Sequence, residues 1–334
     1  MNSPFKVFPH GLNPSFLTNI IIKKEVELLK KQQIYFVLFC IMIAWGFNVI
    51  MTKLLVAEFA PVTMTSFRIL TAAASVFIVL FLLKKVRWLT KKEFLYVFIS
   101  ALFNVVGHHY FLSIGLSKTS ASNGGLILGM GPLLTTILAI LFLGSIITVT
   151  RALGIVLGLT GVAFIVLEGN GSIHGVSIGD LYVFFAILSQ AASFILIKKI
   201  SKTLDPRLMT GYMLLIGSVI LFAISAFLEP NGLQTMTKGS PSIWAVFFTS
   251  AIVATALGHM LYNYAIGKVG AAEASIFINL NPFFALIGAV LFLGEKIKMA
   301  QMIGFLFILF GVILGSGAFE ELKRHSKRKH QIGA

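Results

Sequence analysis

Residues 109–162 and 259–312 are two versions of one segment, and that duplication constrains the chain more than any other feature. At an offset of 150 and without a gap, His259 falls on His109, Lys268 on Lys118 and Pro282 on Pro132. The run Leu291 to Gly294 falls on Leu141 to Gly144, and Gly304 and Gly311 fall on Gly154 and Gly161. Fifteen of the 54 positions are identical, against about one in ten expected between unrelated apolar segments; self-similarity at a fixed period marks a repeat architecture. A weaker echo at an offset of 145 pairs Lys53 with Lys198, Pro61 with Pro206, Met64 with Met209 and Thr65 with Thr210. The repeat therefore reaches back into the earlier helices.

The medium of the repeat follows from composition. Apolar residues make up 57% of the 334 and charged residues 12%, with a mean hydropathy of +0.93. A membrane-spanning helix needs about 20 mostly apolar residues, and ten such segments are expected, at 33–54, 61–83, 94–116, 119–143, 149–167, 181–200, 207–228, 242–265, 270–293 and 297–318. Five spans per repeat is an odd number, so the second copy enters the membrane from the opposite face. The expected fold is an all-α polytopic membrane protein of ten transmembrane helices in two inverted five-helix repeats, the architecture of secondary transporters.

With the N-terminus inside, 21 of the 27 Lys and Arg residues lie on the cytoplasmic side and five on the other, leaving Arg68 within a span. Basic residues concentrate on cytoplasmic loops, so both termini are expected there. This placement also explains the net charge of +15 without a nucleic-acid partner. The expected divisions are a cytoplasmic or interfacial lead over 1–32, a first repeat over 33–167, an extracytoplasmic linker over 168–180, a second repeat over 181–318 and a basic cytoplasmic tail over 319–334. Within the lead, 16–31 reads as an interfacial helix or a disordered segment. No signal peptide is read at the start of the chain. A single cysteine, Cys40, excludes an intramolecular disulfide.

Several residues then carry a family resemblance: Trp45, Gly46, Asn48 and Lys53 in the first span, Arg68 in the second, and Pro282 with the run Phe292 to Lys296, Gly304 and Gly311. Together they resemble the drug/metabolite transporter superfamily in the form with two EamA-type repeats, over about residues 35–318. The resemblance implies a ten-helix inverted-repeat carrier of small metabolites or drugs in the cell membrane. The first repeat departs from the pattern, with Ser145 where the second has Glu295.

Candidate site residues are the polar groups inside spans, which are costly in hydrocarbon and face the bundle interior or water. In the third span Asn104 and His108 lie one turn apart, with His109, Tyr110 and Ser113 beside them. The second repeat places His259 and Asn263 at the same spacing, next to Tyr262. Inversion makes His109 and His259 a related pair able to face one cavity. Each can equally be a neutral ring bonded to a neighbouring helix. Arg68 can meet a substrate carboxylate or hold packing together, and its repeat partner is Met213. Trp45 and Asn48 in the first span and Gln190 and Ser193 in the sixth are suited to a pocket for a small organic molecule. Pro132 and Pro282 are expected to kink the fourth and ninth spans. Asn279 and Asn281 beside Pro282 can satisfy freed carbonyls or face substrate. Gly125 with Gly129, Gly154 with Gly158 and Gly311 with Gly315 are small-residue pairs for close helix packing. Glu273 is the one acid placed within a span and the candidate for ion coupling; its alternative is a carboxylate at a helix N-terminus.

No carboxylate or cysteine joins the histidines, so no metal is expected, and no cofactor motif occurs. The absence of a G-x-x-x-x-G-K-[ST] loop excludes ATP-driven pumping. The expected partners are a small-molecule substrate, the lipid bilayer and, for a coupled carrier, protons; monomer and homodimer both stay open. The reading is a secondary transporter exporting an amino acid or related compound by alternating access, not an enzyme. A multidrug or cation efflux carrier stands second, and a membrane enzyme using His108 or His109 as base stands third.

Overall fold

The computed structural model describes residues 14–143, 148–168, 177–200, 203–269, 274 and 277–315, all helical or in short turns between helices. Ser145, the loop around 170, Glu273 and the basic tail lie outside these residues. The chain falls into two compact units, Met1–Val37 and Leu38–Ala334. The helix α1 (Pro14–Glu58) runs unbroken through position 33, so the expected lead and first span share one helix.

Then follow α2 (Pro61–Leu82), α3 (Lys91–Ala101), a π-helical segment (Leu102–Gly107) and α4 (His108–Lys118). After these come α5 (Ala121–Leu128), α6 (Gly131–Leu143) and α7 (Val149–Glu168). The second half continues with α8 (Ile178–Ile200), α9 (Pro206–Leu228), the short α10 (Gly232–Met236), α11 (Pro241–Thr249), a second π-helical segment (Ser250–Leu257) and α12 (Gly258–Val269). A 3₁₀ turn (Phe277–Leu280), α13 (Asn281–Leu293) and α14 (Met299–Gly315) complete it. Among the described residues, seven helices or helix pairs are long and apolar enough to cross a membrane, and three more, within α7, at 277–293 and within α14, are shorter and apolar. The chain is a multi-pass membrane protein. Its outward face carries large apolar side chains such as Phe81, Phe142 and Phe227, a surface that suits lipid and not water.

Local chemistry sets the helix boundaries. Pro61, Pro206 and Pro241 occupy first-turn positions, where the missing N–H costs nothing. Thr90 and Glu93 form a reciprocal capping box on α3. Pro132 and Pro282 stand second in α6 and α13, each just after a break in what would otherwise be one helix. Both breaks come from the same cause: a proline cannot donate to the turn before it. Where hydrocarbon removes the drive to bury apolar surface, packing rests on close approach. A Cβ on Gly311 would lie 2.5 Å from the backbone nitrogen of Gly158, so α7 and α14 touch backbone to backbone.

Two further helix N-termini are capped from a distance. Glu229, after α9, accepts from the backbone N–H groups of Val62 and Thr63 and from the Thr63 hydroxyl. Glu295, after α13, accepts from Ala121 and Ser122 in the same manner, including the Ser122 hydroxyl. Each carboxylate belongs to the second repeat and caps a helix of the first. Lys53 donates to the carbonyls of Leu116 and Thr119 at the end of α4, both at 2.7 Å.

The site between the repeats

The two π-helical segments occupy equivalent places, since the second, shifted by 150, covers 100–107. Such stretches recur at functional positions because the wider turn displaces side chains and leaves carbonyls open to other donors. Here the donors come from facing helices. Trp45 Nε1 donates to the Ala254 carbonyl at 2.9 Å, and the Ser189 hydroxyl donates to the Phe103 carbonyl at 2.8 Å. Second after each segment stands a histidine of the related pair, and the rings of His109 and His259 meet with centroids 5.6 Å apart.

Between them lies a cavity of about 40 Å³, whose polar lining comprises Trp45, Asn48, His108, His109, Gln190, His259 and Asn281. At about 10–15 Å³ per water this holds roughly three. Val49, Leu112, Leu128, Ile187 and Ile278 complete the wall; nothing in the sequence distinguishes them from other apolar span residues.

Arg68 does not line the cavity but stands behind it, 1% exposed. Its Nη1 donates to the hydroxyls of Thr255 at 2.8 Å and Ser250 at 3.2 Å, and Nη2 faces His109 Nδ1 at 3.4 Å. A guanidinium can only donate, so His109 Nδ1 is the acceptor and its proton sits on Nε2. That Nε2 is buried and has no protein partner. His259 is arranged the other way: Nδ1 faces the Thr255 carbonyl at 3.0 Å and must donate to it, which leaves the unpartnered Nε2 as acceptor. His108 Nδ1 likewise faces the Ala186 carbonyl at 3.0 Å. Ser250 passes the polarity on by donating to Asn48 Oδ1 at 2.5 Å, so Asn48 has its amide N–H groups left to offer. Asn281 Oδ1 is buried without a partner. Among the residues that line the cavity, His109 and Asn48, both tied to Arg68, thus keep a donor without a protein acceptor, and His259 and Asn281 keep an acceptor without a protein donor.

The remaining predicted site residues lie off the cavity wall. Asn104 donates to the Ser193 hydroxyl at 2.7 Å and Asn263 to the Thr210 hydroxyl at 2.8 Å; both bonds join helices. Tyr262 packs between Trp45 and Phe194, with centroids at 4.9 and 5.8 Å, and its hydroxyl is unpartnered. Asn279 Oδ1 is also unpartnered, so neither asparagine beside Pro282 uses its side-chain oxygen as an acceptor within the protein. Tyr110 packs against Phe111, away from the cavity. Glu273 lies outside the described residues, and of the described acids expected at span ends Asp180 is the one drawn deepest into the protein. This carboxylate, in the first turn of α8, is 2% exposed and accepts from Thr119 and Asn123.

A small site with polar side chains from both of two related halves of a multi-pass helical membrane protein is the arrangement of a membrane carrier. The EamA-like transporter family matches the chain twice, over residues 32–167 and 177–317, and the chain belongs to it. It is 30% identical over 310 residues to the uncharacterized transporter YyaM of Bacillus subtilis (strain 168), covering 91% of this chain and all of that protein. It is 27% identical over 290 residues to the uncharacterized transporter YvbV of the same organism, covering 86% and 93%. A solved structure, described only as the crystal structure of a protein, superposes with a TM-score of 0.63 at 15% identity, covering 87% of this chain and 99% of its own. That last likeness speaks to the fold alone.

Proposed function

We propose that the chain is a secondary transporter that exports a small organic metabolite, an amino acid or related compound, by alternating access at the cavity between its repeats. The observation that carries this reading is the divided polarity of the cavity. Donors at His109 and Asn48, set by the Arg68 charge behind them, suit a carboxylate; acceptors at His259 and Asn281 suit an ammonium or hydroxyl group. At about 40 Å³ the site is in a contracted state, and movement of the flanking helices must admit the solute. Among the described residues no carboxylate lines the cavity, and donors placed to answer an anion suit multidrug cation efflux less well.

The reading includes ten spans in two inverted halves, with both termini on the cytoplasmic face of the cell membrane. The charge count of 21 against five, the two family matches and the equivalent π-helical segments support it. The test is flux in proteoliposomes of purified protein, with a panel of amino acids and cationic dyes, with and without a pH gradient. Export of amino acids but not dyes is expected. Dye movement alone would favour the cation carrier, and turnover of a lipid without flux of any solute would replace the transporter by an enzyme.

A further inference from the structure

The two repeats differ away from the cavity, at a place where one is packed shut and the other is open. Between α6, α8 and the first π-helical segment lies an apolar crevice of about 610 Å³, lined by Phe103, Leu138, Phe142 and Ala192 and bordered at one end by Lys198 and Lys199. Lys199 also lines a second pocket of about 320 Å³, which Lys92, Thr90 and Thr203 share. The acid in that pocket, Glu93, is engaged by Arg87 through both carboxylate oxygens, at 2.6 and 2.9 Å.

The equivalent place in the second repeat is filled. Phe47 corresponds to Ala192 at the offset of 145, and its ring packs edge-on against Phe292, the counterpart of Phe142, with centroids 5.9 Å apart. Gly288 corresponds to Leu138 and lets α1 approach so closely that a Cβ there would lie 2.8 Å from Ile50 and 3.1 Å from Phe47. At the crevice the small residue, Ala192, sits on α8 and the large one, Leu138, on α6, and the space between the helices stays open.

An apolar crevice at a membrane surface is filled by acyl chain, and a cluster of lysines at its mouth selects an anionic headgroup. From Lys199 to Ala192 the crevice follows α8 for about 10 Å at roughly 1.5 Å per residue, the depth of the upper part of one acyl chain. We propose that this crevice binds one anionic phospholipid, its phosphate among Lys198, Lys199 and Lys92 and one chain running between α6 and α8 to Phe103. Phe103 belongs to the π-helical segment that leads into His108 and His109. None of the crevice residues lines the central cavity, so the proposal stands apart from what the chain transports.

Native mass spectrometry of the full-length protein, titrated with dioleoylphosphatidylglycerol or dioleoylphosphatidylcholine, tests it. One phosphatidylglycerol per chain is expected to be retained where phosphatidylcholine is not. Lys198→Gln with Lys199→Gln is expected to weaken that retention about thirtyfold, from roughly fivefold per lysine near an anionic surface. Ala192→Phe, which copies Phe47, is expected to abolish retention while the protein still melts cooperatively; Ala192→Leu is the smaller plug should the phenylalanine variant not accumulate. Equal retention of both lipids, or unchanged retention in the lysine and plug variants, overturns the proposal. Displacement of the lipid by glycerophosphoglycerol at equal concentration would reduce the site to a surface anion site and overturn it too.

Discussion

His109 and His259 occupy equivalent positions after equivalent π-helical segments, yet beside the same cavity they hold their protons on opposite nitrogens. His109 accepts from Arg68 and offers a proton at Nε2; His259 donates to the Thr255 carbonyl and offers a lone pair. The cause is one substitution between the repeats. Where the first has Arg68 the second has Met213, equally buried, and the guanidinium reaches across to Ser250 and Thr255 of the second π-helical segment. Duplication supplied two rings, and a single unpaired cation made them unequal. On the proposed reading, an asymmetric solute binds in one orientation inside a nearly symmetric frame.

The sharpest way to break this comparison is to make the halves alike. Arg68→Met removes the donors to Ser250, Thr255 and His109 and leaves buried polar groups unmatched, each costing about 1–3 kcal/mol. Flux is expected to fall at least about a hundredfold, since about 1.4 kcal/mol is a factor of ten. Nitrogen-15 NMR of labelled histidine should show His109 gaining the Nδ1–H tautomer while His259 is unchanged. Equal movement of both signals would mean that Arg68 does not distinguish the rings. Arg68→Lys keeps the charge without the fork and is expected to fall between wild type and Arg68→Met.

A smaller change tests each ring separately. His109→Leu and His259→Leu are each expected to lower flux by roughly 10- to 100-fold, the worth of one buried hydrogen bond lost to a charged solute group. Their losses should depend on the solute. An amino acid amide, lacking the carboxylate, should lose little more in His109→Leu, and an N-acetylated acid little more in His259→Leu. If both variants respond alike to both solutes, the assignment of donor and acceptor is wrong.

The ends of the molecule repeat the lesson at lower energy. Glu229 and Glu295 cap α2 and α5 across the repeat boundary, while their counterparts by offset are Lys84 and Ser145. At the opposite end α9 is capped by its own Asp205, which also meets Arg207 and Lys85. Glu229→Ala and Glu295→Ala are expected to destabilise by about 1–2 kcal/mol each, the range for a lost N-cap strengthened by the helix dipole, read as a lower midpoint in thermal unfolding. Asp205→Ala should cost stability without loosening the contact between the repeats at the Glu229 and Glu295 end, measurable as protease resistance there.

Much of this was legible in the chain. The duplication, the membrane medium, the related histidines and the two broken helices at Pro132 and Pro282 follow from spacing and from proline chemistry. The π-helical segments were not legible, because Leu102–Gly107 and Ser250–Leu257 carry no residue pattern distinct from an ordinary apolar helix. Nor were Ser250 and Thr255, since small hydroxyls are common in spans and commonly bond their own helix. Asn104, Asn263 and Tyr262 have the polarity of site residues but serve helix contacts, a distinction that only packing makes. Asp180 sits at a span end by sequence and becomes buried because α4 and α5 close over it.

The smallest expected effect concerns the turn that aims Glu295. Gly294 has φ +63°, and a Cβ there would meet nothing within 4 Å, so Gly294→Ala is opposed by backbone strain alone, about 1 kcal/mol. The amides of Gly294 and Glu295 both turn back to the Ala289 carbonyl, and that geometry points the carboxylate at Ala121 and Ser122. An alanine that relaxes toward negative φ moves Glu295 away from its cap. Gly294→Ala and Glu295→Ala are therefore expected to be less than additive, by at least about 0.5 kcal/mol in a double-mutant cycle of unfolding. Simple additivity would show that the glycine relieves strain without positioning the acid, and the cap would then owe its aim to α5 alone.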